Sequence, residues 1–192
     1  MTAPSLTPRR IAAAVVAAAA IAAGAVGCSG GSSSPPSPAS PSVTRPVCAT
    51  TQTPGFPAVD RCSVESVLQT AAARIFSFLP AQQSSTADSF WAAGPLLDPM
   101  YQAQVGDSAA MLAPVTAGQW QRWAAEHAHI DADARVTSDE HPTPTTRVVA
   151  VTQHITGPGG QTLEPDQTVV LYMAATRASD GAPYAVSQIT VR

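Results

Sequence analysis

The sequence predicts an α+β fold in which three N-terminal helices pack on a curved four-stranded antiparallel sheet. Two observations carry this prediction. Apolar residues recur at helical spacing through residues 63–127, and from Ile130 onward they recur at every second position. All the helical segments precede all the strands, which is the order of an α+β domain. Roughly 145 residues follow the low-complexity region, enough for one domain with a buried core.

The first helix is predicted to begin at Ser63, a suitable N-cap, and to run until Pro80 ends the pattern. A second helical segment, about residues 86–105, is interrupted by Gly94-Pro95 and by Pro99, so we expect two short helices with an elbow. The apolar residues that define the first helical face are Val64, Val67, Leu68, Ala71, Ile75, Phe78 and Leu79.

A third helix and four strands complete the predicted domain. Thr116 and Gln119 fit a capping box, and the helix is expected to stop near Ala128. Turn-forming sequences, "GPGG" and "SDG", separate the later strands and favour antiparallel neighbours. The strands are predicted at residues 130–136, 145–156, 168–177 and 184–191.

The N-terminus, residues 1–27, has the pattern of a secretory signal peptide. Arg9 and Arg10 precede residues 11–26, which are apolar throughout. At 1.5 Å per residue this stretch would span about 24 Å, less than the roughly 30 Å of a hydrocarbon core. Cleavage is therefore favoured, and an uncleaved signal anchor is the alternative.

Cys28 follows the small residues Ala25, Val26 and Gly27. This arrangement resembles the lipobox of bacterial lipoproteins, although Ala25 stands where that family prefers leucine. The resemblance implies that Cys28 is lipidated, with palmitate among the acyl chains, and becomes the mature N-terminus. It places the protein on the extracytoplasmic face of the cell membrane, and a simple secreted protein is the alternative. Residues 28–46, rich in Ser, Pro and Gly, are predicted to form a tether.

With Cys28 assigned to lipid, Cys48 and Cys62 remain as a pair in an exported chain, which predicts a disulfide. The bridge would close residues 47–62 as an N-terminal loop, which contains two prolines and a glycine. Two separate buried thiols are the alternative. A zinc site is disfavoured because no further cysteine is available and the histidines lie far along the chain.

Charge composition argues against a nucleic-acid partner. All ten basic residues are arginine, against thirteen acidic residues. Removal of Arg9 and Arg10 with the signal peptide leaves eight basic and thirteen acidic residues, a net charge of about −5. A negatively charged surface of this kind would repel the phosphates of a nucleic acid.

The order of helices first and a four-stranded meander last resembles the NTF2-like superfamily. Within it, the chain is similar to extracytoplasmic VirB8-like domains of secretion and conjugation systems and to Mce-associated proteins of actinobacteria. The resemblance covers residues 63–192 and rests on element order and compartment. Those families usually carry a transmembrane helix, whereas the anchor expected here is a lipid, which argues against direct contact with a cytoplasmic motor.

Three short motifs are candidates for catalysis or cofactor binding. In "EHAHIDAD", residues 126–133, His129 and Asp131 are the core of a disfavoured metal-site alternative, because the polar face of a strand explains the motif more simply. "GDSA", residues 106–109, is similar to a hydrolase serine block but lies in a helical region. "GPGG" lacks the lysine of a phosphate-binding loop. His141 and His154 are expected to be solvated, and no cofactor is predicted.

Five aromatic residues are candidates to line a pocket between helices and sheet. In a small domain large aromatics usually fill the core, so filling is the favoured interpretation and lining the alternative. The candidates are Trp91, Trp120, Trp123, Tyr172 and Tyr184.

The expected function is therefore that of a non-enzymatic lipoprotein that binds extracytoplasmic protein partners. One alternative is a module that takes a small apolar ligand or a lipid into its cone. The other is a metal-binding or hydrolytic NTF2-like enzyme.

Overall fold

The computed structural model describes Cys48, residues 52–137 and residues 143–192. The segments predicted to be a signal peptide and a tether, the predicted lipidation site Cys28, and His141 lie outside the described residues. Within the described ranges the α+β class is confirmed, with four α-helices followed by a four-stranded antiparallel sheet. The helices are α1 (Val64–Phe76), α2 (Ala87–Ala92), α3 (Pro99–Val105) and α4 (Ala117–Ala125), and the strands are β1 (His129–Val136), β2 (Thr146–Thr156), β3 (Thr162–Thr176) and β4 (Ala185–Val191).

Helix α1 begins where the sequence predicts and ends earlier. The Ser63 side chain accepts the Ser66 N–H over 3.3 Å, which caps the first turn. The helix stops at Phe76, before Pro80, because Phe78 leaves it to exchange backbone hydrogen bonds of 2.8 and 3.0 Å with Ile130 of β1. The end of α1 is thereby tied to the sheet.

The interrupted segment forms the two expected short helices, α2 and α3, joined by a 3-10 helix, Gly94–Leu96. Asp98 caps α3, since its Oδ1 accepts the Met100 and Tyr101 N–H groups over 2.9 and 3.2 Å. A second 3-10 helix, Gly106–Leu112, leads toward α4.

Helix α4 is shorter than predicted because it ends at Ala125 instead of near Ala128. The His127 N–H donates to the Ala124 carbonyl over 3.2 Å, and the Ala128 N–H donates to the Trp123 carbonyl over 2.9 Å. This is a Schellman termination, and His127 occupies its left-handed position with φ 51°. Glycine usually fills that position, so the sequence contained no stop signal there.

The sheet is a simple meander, β1-β2-β3-β4, with every neighbouring pair antiparallel. Strand β3 begins at Thr162, earlier than the predicted Thr168. Between Gln153 and Ile155 the β2–β3 register shifts, and Pro165 lies beside that irregularity. A proline next to a bulge does not interrupt the ladder, which is why a polar, proline-containing segment can belong to a strand.

The core lies between the helices and one face of the sheet. Helix α1 contacts all four strands, and Phe76, Phe90 and Leu171 are fully buried there. Gln153 is a buried polar residue in this core, and its Nε2 donates to the Phe76 carbonyl over 2.7 Å. Among the described residues no helix has both the length and the apolar character needed to cross a bilayer.

The predicted disulfide between Cys48 and Cys62 is present, with a Cα–Cα distance of 5.8 Å. Arg61 attaches the enclosed loop to the rest of the domain. Its Nε donates to the Tyr184 carbonyl over 2.8 Å and its Nη1 to the Pro95 carbonyl over 2.7 Å, while the Tyr184 N–H donates back to the Arg61 carbonyl. The bridged loop is thus packed against the connection between β3 and β4.

Candidate functional site

Trp123 lies in the space between the helices and the sheet, where an aromatic-lined pocket was the alternative to a filled core. Its side chain is fully buried in the core, and its Nε1 donates over 3.1 Å to Oε1 of Glu164 on β3. Arg122 forms an ion pair with the same carboxylate oxygen, and Gln167 donates to the other oxygen over 3.1 Å. Partial burial acts to raise the pKa of Glu164, but the hydrogen bonds from Arg122 and Trp123 and the Arg122 charge outweigh it and lower that pKa.

Three other candidates lie apart from Trp123. Trp91 is 47% exposed and covers Gly106, where a Cβ would clash with its indole. Tyr172 lies between the buried positions 171 and 173 of β3, so its side chain is on the sheet face opposite the helices, under the guanidinium of Arg192 at 5.0 Å. Tyr184 packs with Arg177 at 5.4 Å. The structure therefore does not bring the five aromatics together.

Trp120 borders a surface cleft at the start of α4. The cleft has a volume of about 290 Å³ and lies between the α1–α2 connection, the second 3-10 helix and the start of α4. The Trp120 ring is half-buried and meets Phe78 edge to face, with ring centroids 5.8 Å apart. The lining residues are Ser84, Ser85, Thr86, Ala110, Val115, Thr116, Ala117, Trp120 and Gln121.

The residues of the metal alternative lie on the exposed face of β1. His129, Asp131 and Asp133 alternate with inward residues, while His127 belongs to the termination of α4. In the described part of the chain, no group of three His, Cys, Asp or Glu side chains has the arrangement to hold a metal ion. Asp131 lies directly opposite His154 across the β1–β2 ladder.

His154 has carboxylate partners that its sequence context did not reveal. Its Nδ1 lies 2.9 Å from Oδ1 of Asp166 on β3, and its Nε2 lies 3.4 Å from Oδ2 of Asp133 on β1. The imidazole is thus a cross-strand bridge over three strands and remains 40% exposed. The hydrogen bond to Asp166 is the main cause that raises the pKa of His154, and Asp133 adds to it.

The serine of "GDSA", Ser108, forms a local hydrogen bond with the backbone. Ser108 lies within the 3-10 helix Gly106–Leu112, and its hydroxyl donates to the Val105 carbonyl over 3.1 Å. A nucleophile elbow requires a strand immediately before the serine, and here α3 precedes it. The local fold therefore gives no support to the hydrolase alternative.

No protein-family model matches the chain, and comparison with the curated proteins and with the solved structures finds no match.

The side-chain contacts of Glu164 and His154 could not be predicted from the sequence, because their partners are distant along the chain. Glu164 meets Trp123 across 41 positions, and it lies in the segment that was predicted to precede the third strand. The alternation of Asp131 and Asp133 placed both carboxylates on the exposed face, but only the β1–β2 register shows which residue opposes them.

Proposed function

We propose that this protein is a lipoprotein, anchored through Cys28 to the extracytoplasmic face of the cell membrane, whose folded domain is a non-enzymatic module for protein interaction. The Cys48–Cys62 disulfide is the observation that carries the proposal. Disulfides persist in oxidising compartments, which agrees with export by the N-terminal signal. The bridge also uses the two other cysteines of the chain, so that Cys28 in its lipobox is the one left for modification.

The domain supplies a stable platform for such a role. One face of the sheet packs on the helices, and the other carries small and hydroxyl side chains such as Ala150 and Thr152 beside the charged Asp133–His154–Asp166 bridge. Exposed β-sheet faces of this kind are available for contact with other proteins. The order of helices and meander, together with the register shifts in the β2–β3 and β3–β4 pairs, supports an NTF2-like domain of the VirB8-like or Mce-associated type.

The anchor is tested by membrane fractionation of the Cys28→Ala variant. The expected result is loss of fatty-acid labelling and release of the protein from the membrane fraction. The matched control is the double variant Cys48→Ala/Cys62→Ala, which removes the other thiols and should keep both label and membrane association. Retention of Cys28→Ala in the membrane would mean that residues 11–26 remain as a signal anchor.

A second candidate function is the binding of a small molecule, and the cleft beside Trp120 favours it. This cleft is on the surface at the start of α4, and it differs from the apolar pocket between helices and sheet that the sequence suggested. Trp123 and Phe76 are fully buried in that interior space. A ligand would therefore meet hydroxyl and amide groups as well as an indole.

A further inference from the structure

We infer that the cleft beside Trp120 binds a neutral carbohydrate, with the indole against the apolar face of a sugar ring and hydroxyl and amide side chains bonded to its hydroxyl groups. The inference gives a ligand class to the second candidate function above and rests on it. It is independent of the lipid anchor at Cys28. A volume of about 290 Å³ in an open cleft suits one or two sugar rings at the end of a longer glycan.

The lining is uncharged. None of its nine residues is Arg, Asp or Glu, and five carry a hydroxyl or side-chain amide. Asp88 lies just behind this wall, where its Oδ2 accepts the Ser84 N–H over 2.6 Å and the Ser84 hydroxyl over 3.0 Å. A phosphate or carboxylate ligand would meet no counter-charge in the lining and would lie near the carboxylate of Asp88.

Several polar groups in the cleft retain hydrogen-bonding capacity. The hydroxyl oxygens of Ser85 and Thr116 accept the backbone N–H groups of Ala87 and Gln119, over 3.3 and 3.2 Å. Neither hydroxyl proton is donated to an acceptor within the described residues, and each can bond a ligand. The exposed amide of Gln121 adds both a donor and an acceptor.

Two contacts hold the walls of the cleft in place. The Thr86 hydroxyl donates to the Ala110 carbonyl over 3.2 Å, which joins two walls of the cleft. Phe78, buried beside β1, supports the Trp120 ring edge to face. Groups that are already held by such contacts lower the ordering cost of binding a polar ligand.

A purely apolar ligand fits this lining less well than a sugar. It would cover the hydroxyl groups of Ser85 and Thr116 and the Gln121 amide without bonding to them, and each uncompensated polar group opposes binding. A sugar ring presents C–H groups on one face and hydroxyl groups around its rim, so that both the indole and the polar groups find partners.

The test is saturation-transfer NMR on the mature, lipidated protein in a sugar-free zwitterionic detergent. The probes are a panel of neutral mono- to trisaccharides of hexoses, pentoses and N-acetylhexosamines, with cyclohexanol as a neutral, largely apolar probe. We expect at least one saccharide to receive saturation at millimolar concentration, mainly at its ring C–H protons. No saccharide signal above that of detergent without protein, or a signal from cyclohexanol alone, would overturn the inference and leave the lipid anchor untouched.

Matched variants place the binding in the cleft. Trp120→Ala should weaken saccharide binding by about tenfold or more, whereas Trp91→Ala, which removes an exposed indole outside the cleft, should leave it unchanged. If Trp120→Ala does not fold, Gln121→Ala replaces it, with the exposed Gln104→Ala as its control. Equal binding by Gln121→Ala and Gln104→Ala, or equal loss in both tryptophan variants, would contradict the assignment.

Discussion

The indole Nε1 of Trp123 donates to Oε1 of Glu164 over 3.1 Å and joins helix α4 to the beginning of strand β3. Trp123 is fully buried, so its N–H needs an acceptor inside the protein. The Glu164 carboxylate is this acceptor, and Arg122 neutralises its charge. The contact between Trp123 and Glu164 helps to hold residues 162–167, which are polar and include Pro165, in the sheet.

Removal of this acceptor should destabilise the domain. Glu164→Ala leaves the Trp123 N–H buried without a partner, which costs about 1–3 kcal/mol in the free energy of unfolding. Urea denaturation followed by tryptophan fluorescence measures the change. Asp131→Ala, on the exposed face of β1, is the control and should change stability little. Equal stabilities of the two variants would show that the Glu164 contact contributes nothing.

The same carboxylate predicts a pH dependence. Because its pKa is lower in the folded state than in the unfolded state, its stabilising contribution is complete above the unfolded value. That contribution is lost as the pH falls through the lower, folded pKa. Denaturation at a series of acidic pH values should therefore show a steeper loss of stability in the wild type than in Glu164→Gln. Parallel curves would contradict the prediction.

His154 should titrate above the ordinary histidine pKa. The Asp166 and Asp133 carboxylates favour its charged form, so removal of Asp166, the stronger partner, should lower the measured value most. NMR titration of the His154 ring signals in the wild type, Asp166→Asn and Asp133→Asn measures this order. A His154 pKa at or below its usual range in the wild type, or a larger effect of Asp133→Asn, would refute the assigned bridge.

His127→Gly should stabilise the protein. The left-handed backbone at φ 51° is costly for a residue with a Cβ, and glycine removes most of that cost. We expect a gain of about 0.5–1 kcal/mol in the free energy of unfolding, after the extra chain entropy of glycine is subtracted. Glu126→Gly is the control, since Glu126 has right-handed geometry and its replacement should destabilise. A loss of stability in His127→Gly would be inconsistent with the Schellman termination.

The disulfide should contribute measurably to stability. It links residues separated by 14 positions, and a loop of that length corresponds to about 3 kcal/mol in the chain-entropy description. The Cys48→Ala/Cys62→Ala variant should unfold at a correspondingly lower denaturant concentration. Reducing agent should shift the wild type to the same midpoint and leave the variant unchanged. A shift of the variant's midpoint on addition of reductant would show that the reductant does not act through the Cys48–Cys62 disulfide.

Features set by local sequence could be predicted. Ser63 and Thr116 cap α1 and α4 because a hydroxyl before an amphipathic run satisfies free backbone N–H groups. The switch from a period of 3.6 to a period of 2 separated helices from strands, and the turn sequences indicated antiparallel neighbours. The disulfide followed from cysteine number once Cys28 was assigned elsewhere.

Features set by distant contacts could not be predicted. Phe78 continues the helical pattern in the sequence but pairs with Ile130, a residue 52 positions away, and so ends α1 early. The third strand was predicted to begin at Thr168, whereas β3 begins at Thr162 and a bulge accommodates Pro165 within it. The cleft at Trp120 depends on how three separate segments meet, and no local pattern encodes that arrangement.

The proposed lipid anchor at Cys28 can be measured as the intact mass of the protein extracted from its native membrane. The expected mass is that of a chain that begins at Cys28, carries two or three acyl chains, and contains one internal disulfide. An unmodified Cys28, either in a chain that retains residues 1–27 or in one that is released from the membrane, would contradict the proposal.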